Sequence, residues 1–98
     1  MDRPEISEMR HTWSDLQHKL SERYDYKRTP PLNGIRKVVS EISHSKIRAV
    51  LNLRYGEGMV LREIGEELNL TGSRISGIEA KGLRILKHPT RLRRMFDD

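Results

Sequence analysis

From Thr71 to Arg94 the chain carries Arg74, Lys81, Arg84, Lys87, Arg91, Arg93 and Arg94 against a single acid, Glu79. Cations gathered without counter-charge make a positive field that favours an external anion, so the chemistry on offer is phosphate binding. The 98-residue chain has a formal charge of +5. Its first 34 residues contribute none of it, because their six basic and six acidic side chains cancel. A solvated basic helix is the competing reading. Other chemistry fails on spacing. His11 and His18 stand two helical turns apart, too far to share a metal ion as an i, i+4 pair does. His44 and His88 fall near expected helix ends, where histidine commonly caps. Glu63, Glu66 and Glu67 fall on an expected exposed face. No glycine-rich phosphate loop follows a strand, since no strand is evident. The absence of cysteine excludes disulfides and thiolate metal sites. No catalytic constellation survives, so the expectation is a protein that is not an enzyme, with no cofactor and no metal.

The elements that must position the basic residues lie between Val60 and Pro89. Leu61, Ile64, Gly65 and Leu68 recur at the spacing of a half-buried helix. Gly65 lets a second helix cross closely, as a helix-turn-helix requires. Asn69 tolerates the left-handed conformation of a tight turn, and Thr71 is placed to cap the next helix with its hydroxyl. Ile75, Ile78 and Leu83 form the inner face of that second helix, and Pro89 stops it.

Upstream, residues 4–24 predict an amphipathic helix, with Pro4 in its first turn. Ile6, Met9, Trp13, Leu16 and Leu20 form a heptad-like stripe along it. The stripe is either core for the same small domain or a seam for a second protein or a second copy of the chain. Trp13 is its best anchor in both cases. Tyr24 to Gly34, with two prolines and an Asn-Gly pair, predicts a linker. The expected division is therefore an N-terminal segment over 1–34 and a core domain over 35–98. In the core, Ile35, Val38, Val39 and Ile42 mark one helix. Ile47, Val50, Leu51 and Tyr55 mark the next, capped by Ser43 or Ser45 and stopped at Gly56. Thr90 is placed to cap a last turn with Leu92, Met95 and Phe96 on its apolar side. The fold class is all-α: a four-helix core containing a helix-turn-helix, preceded by an extra amphipathic helix. No apolar run approaches the roughly 20 residues of a membrane span, and no signal peptide opens the chain. A soluble cytoplasmic protein without a membrane partner is expected.

From about Ile35 onward the chain resembles region 4 of bacterial sigma factors of the sigma-70 class. The resemblance is carried by VLNLRYGEG (50–58), LREIGEELNLT (61–71) and RISGIEAKGLRILKHPTR (74–91). It implies a domain that docks on the β flap of RNA polymerase and lays its second helix on the upstream promoter element of double-stranded DNA. Phosphate contacts are implied at Arg54, Arg62, Thr71, Arg74, Lys81 and Arg84, with base-edge contacts after Thr71 through Ser73, Arg74 and Ser76. The polymerase pocket is implied at Tyr55, Leu83 and Leu86, which are equally readable as core. The chain departs from the family at Gly72-Ser73 and Ser76-Gly77, where housekeeping members carry Arg-Glu and Arg-Gln. Glycine cannot make the bidentate base contacts that are each worth about 1–3 kcal/mol of discrimination.

A looser DNA sequence preference and a loss of specific readout both fit that departure. The aromatic-rich promoter-melting domain of a complete sigma factor is missing from these residues. The leading expectation is a free-standing region-4-like transcription factor, of phage, mobile-element or split-sigma type. An inhibitor that occupies the flap and excludes the host sigma factor is one rival. A dimeric regulator paired through residues 5–24 and acting without polymerase is the other.

Overall fold

The structure, a computed structural model, describes residues 9–23 and 29–97. They form six α-helices and, among the described residues, no strand. In chain order these are α1 (Trp13–Arg23), α2 (Leu32–Ser40), α3 (Ser45–Leu51), α4 (Leu61–Leu68), α5 (Gly72–Leu86) and α6 (Pro89–Met95). A π-helical turn, Asn52–Gly56, prolongs α3 without a break. The all-α expectation with an extra N-terminal helix is met. No helix among the described residues is long and apolar enough to cross a membrane.

Helix α1 starts later than its apolar stripe predicts. Residues 9–12 are not helical, and the reason is a reciprocal cap. The Thr12 amide donates to Oδ2 of Asp15 at 2.7 Å, and the Asp15 amide donates to Oγ1 of Thr12 at 3.3 Å. Such a box satisfies orphan amides at a helix start, so the helix begins at Trp13. Pro4 and Ile6 lie outside the described residues. Met9 stands 58% exposed ahead of the helix.

Leu16 and Leu20 are fully buried in a cluster with Ile35, Val38 and Val39 of α2, Tyr55, and Leu92 and Met95 of α6. Burying a leucine contributes about 1.5–3 kcal/mol, and that contribution is realised here within one chain. The seam reading is therefore corrected for Leu16 and Leu20: they are core and offer no face to a partner. Trp13 packs half-buried on the same cluster, against Gly56.

Helix α2 begins at Leu32, so Asn33-Gly34, expected as a turn, is helical. Gly34 is a point of close approach instead. A Cβ there would stand 1.7 Å from the Met95 carbonyl oxygen, so α6 packs directly on the α2 backbone. Arg94 clamps the same pair of helices with two hydrogen bonds to Glu41, at 2.8 and 2.6 Å.

Helix α3 takes its N-cap at His44, without a side-chain hydrogen bond, and neither Ser43 nor Ser45 fills that role. Helix α6 is capped by His88, whose Nδ1 accepts from the Thr90 amide at 3.2 Å. Pro89 follows at the first helical position, where its missing amide costs nothing. Thr90 is thus the donor partner of the cap, not the cap itself.

Candidate nucleic-acid interface

Three residues set the angle between α4 and α5. Asn69 takes φ 61° and ψ 45°, a left-handed conformation that asparagine tolerates. The Leu70 amide then donates to the Gly65 carbonyl at 2.8 Å. A Cβ on Gly65 would come within 2.4 Å of the Leu70 carbonyl oxygen. The turn backbone itself, more than a crossing helix, therefore rests on Gly65. Thr71 caps α5 as expected, with Oγ1 accepting from the Arg74 amide at 3.1 Å. Ile64, Ile75 and Val50 form a second small core beneath the turn.

The other anchor of α5 is polar and was not legible in the sequence. Glu79 points inward, only 8% exposed. It accepts the Tyr55 hydroxyl at 2.5 Å and lies 3.5 Å from Nε of Arg54. A buried carboxylate is tolerable only when paired in this way. Burial, first, and the Glu79 hydrogen bond, second, raise the Tyr55 pKa far above the ordinary phenol value. The widened π turn brings neighbouring residues 54 and 55 both to the interior, which regular helical periodicity does not do.

Arg54 also donates to the carbonyls of Met9 and Met59, each at 3.4 Å. It joins the N-terminal arm, the α3–α4 loop and α5 from inside. The Arg54 guanidinium, expected as a phosphate contact, is thus buried and engaged within the protein. Tyr55 and Leu86, readable as pocket or as core, are buried in the core, 1% and 0% exposed. His11 and Lys19 cover the Tyr55 ring, with His11 edge-on at 6.0 Å and the Lys19 ammonium 5.8 Å from the ring centre. Of the three pocket residues only Leu83 keeps partial exposure.

The remaining interface residues are brought together. Thr71, Ser73, Arg74, Ser76, Lys81 and Arg84 are all exposed, along one side of the turn and α5. Ser73, Gly77, Ala80 and Arg84 form the midline of that side, at steps of four, three and four. The midline is thus nearly bare until Arg84. Gly72 and Gly77 have open space where a Cβ would be, so neither is glycine for packing reasons. Gly82 differs, since a Cβ there would press within 3.0 Å of Leu51. Arg62 is exposed on α4 and lies 3.8 Å from Glu66, one turn on.

Two cationic residues beside this side of α5, Lys46 and Arg91, were not among the contacts expected from the sequence. His44 and Lys46, at the start of α3, line a groove with Ser73, Arg74, Gly77 and Lys81. Arg91 lines a second groove with Lys81, Arg84 and His88. The charge run signalled Arg91. Nothing local signalled Lys46, which reaches the interface through the α3–α5 packing.

Residues 45–88, from the first residue of α3 to the cap of α6, match the family described as Sigma-70, region 4. The chain is 46% identical over 52 residues to RNA polymerase sigma factor SigA of Clostridium acetobutylicum, covering 49% of this chain and 14% of that protein. It is 54% identical over 48 residues to RNA polymerase sigma factor SigA1 of Synechococcus elongatus, covering 45% and 12%. It is 38% identical over 68 residues to RNA polymerase sigma factor RpoD of Neisseria gonorrhoeae, covering 65% and 11%. The chain therefore spans a small fraction of the length of these curated relatives. No solved structure gives a significant match.

Proposed function

We propose, from the premise that residues 45–88 form a sigma-70 region-4-like helix-turn-helix, that this protein is a non-enzymatic transcription factor. It contacts promoter DNA through α5 and works alongside RNA polymerase at initiation. The observation that carries the reading is the exposed side of α5. Arg74, Lys81 and Arg84 stand there with no carboxylate in ion-pair range among the described residues. Cations placed this way hold phosphates and fix register without reading sequence. The bare midline argues for shallow base readout, so promoter choice rests on polymerase as much as on DNA.

Docking on the β flap belongs to the same proposal. With Tyr55 and Leu86 buried, a dock that leaves α1 in place meets Leu83 and its surroundings. Gly72 and Gly77 favour a second reading, in which the protein occupies the flap and excludes a resident sigma factor without binding DNA tightly. Retention of the protein on purified core polymerase and on an isolated β-flap fragment tests the dock. Duplex binding at low salt then separates the two readings. Tight flap binding with negligible DNA affinity favours the inhibitor. Failure to bind either partner, with the helical spectrum intact, overturns both.

A further inference from the structure

Helix α1 is one-sided. Leu16 and Leu20, one turn apart, are fully buried, while Ser14, Asp15 and His18 face solvent. The cluster that the two leucines join holds Tyr55 and Leu86, and Leu83 packs half-buried against it. Those three residues fall within the matched residues 45–88, whereas α1 lies outside them. The cover is thus an addition to the helix-turn-helix unit, laid over the apolar surface that the dock proposed above would use. With 11 residues, α1 is shorter than the roughly 12–15 that a helix needs to persist alone in water. It is a helix because it is seated. Its fastenings just upstream are polar and partly exposed. Arg10 forks onto Glu63 and reaches the Gly58 carbonyl, and the Met9 carbonyl accepts from Arg54.

We infer that α1 is an in-chain occupant of the polymerase dock, so that a partner helix and α1 exclude one another over Tyr55 and Leu86. The inference rests on the flap-docking reading above and supplies the regulation of that site. The present occupant defines the chemistry of its replacement: an amphipathic helix presenting two apolar side chains one turn apart. Docking then proceeds through the fraction of molecules in which α1 has lifted, and the apparent affinity is lowered by that fraction. Whatever loosens α1 strengthens docking, which the loss of a merely structural contact does not do.

Trp13 is the only tryptophan of the chain and rests half-buried against Gly56, so its emission reports whether α1 is seated. The full chain is titrated with a tryptophan-free β-flap fragment, and emission and acrylamide quenching are followed alongside binding. A red shift and stronger quenching are expected as the fragment binds. Arg10→Ala, which removes the surface fork on Glu63, is expected to raise flap affinity about two- to fivefold. Leu16→Ala is expected to raise it by about tenfold or more. Arg94→Ala, which removes a comparable fork on Glu41 between α2 and α6, is the control and leaves the affinity unchanged. A wild type that fails to bind while either loosened variant binds supports the inference. Binding with Trp13 emission unmoved and no gain in either variant overturns it and leaves the flap reading standing. A red shift that follows the protein's own concentration without fragment assigns the surface to a second copy and also overturns it. If wild type and both variants ignore the fragment and core polymerase while their helical spectra persist, flap docking falls and this inference with it.

Discussion

The Tyr55 hydroxyl donates to Oε2 of Glu79 at 2.5 Å, tying the π turn after α3 to the middle of α5. Glu79 also faces Arg54, so its loss strands a buried cation and a buried phenol together. Removing one partner of a buried pair typically costs about 3–5 kcal/mol. Glu79→Ala is therefore expected to destabilise by about 3 kcal/mol, read from urea unfolding. Tyr55→Phe, which keeps the ring, is expected to lose only about 1–2 kcal/mol. Equal losses would show that the hydroxyl, not the carboxylate, is the centre of the network.

The same phenol sets an alkaline limit. Its folded pKa is raised by burial and by Glu79, so folding favours the neutral form. The associated stability is complete below the unfolded phenol value of about 10 and declines as pH rises above it. Tyr55→Phe should flatten that decline in a chemical-denaturation series taken above about pH 9. A wild-type protein whose stability is level through this range would contradict the burial.

At the acid end, the Arg10 guanidinium, with help from the Val60 amide, pushes the Glu63 carboxyl down to about 2. Arg10 donates to both Glu63 oxygens at 2.8 and 3.0 Å and to the Gly58 carbonyl at 2.9 Å. A depressed carboxyl stabilises the fold above its unfolded value of about 4.3 and loses that contribution as pH falls toward the folded one. Arg10→Ala should move the Glu63 titration, followed by carboxyl-carbon NMR, back toward the ordinary range. An unmoved titration would mean that the fork does not form in solution.

Two glycines should respond oppositely to alanine. Gly77 is exposed on α5 with open space around it, so Gly77→Ala is expected to stabilise by up to about 1 kcal/mol through helix propensity alone. Gly34 lies against the Met95 carbonyl. Gly34→Ala must push α6 away from α2 and is expected to cost about 1–3 kcal/mol or more. Thermal unfolding of the two variants decides the matter, and the signs carry the argument.

Leu16→Ala distinguishes core from seam. A buried leucine replaced by alanine costs about 2–5 kcal/mol, and Leu16 is 0% exposed. The expected result is a lowered melting temperature that does not depend on protein concentration. Concentration-dependent melting of wild type, abolished by the substitution, would instead restore the seam.

The helix-turn-helix was legible because its determinants are local. Gly65, Asn69 and Thr71 each act within a few residues, and all three do what their types imply. The start of α1 was signalled by Thr12 and Asp15, a capping pair that the apolar stripe through Met9 obscured. Arg54, Tyr55 and Glu79 were not legible as a group. Their meeting depends on a π turn and on a pairing across 24 residues of chain, neither of which periodicity reveals. Tyr55 was legible as core from its place after Ile47, Val50 and Leu51, but its hydroxyl's partner and the burial of Arg54 were not. Gly34 misled, because an Asn-Gly pair signals a turn unless another backbone needs the space.

The bare midline of α5 leaves a surface on which sequence preference could be written. Positions 72 and 77 sit in open space, away from both apolar cores. Long side chains installed there would meet neither the hydrophobic interior nor the Tyr55–Glu79 anchor. Each bidentate hydrogen-bonded pair that such a side chain forms with a base edge would add about 1–3 kcal/mol of discrimination. The frame that holds the helix and the exposed positions along it are thus separable in this protein, and changes at 72 and 77 would alter that surface while shifting stability only by helix propensity, up to about 1 kcal/mol each.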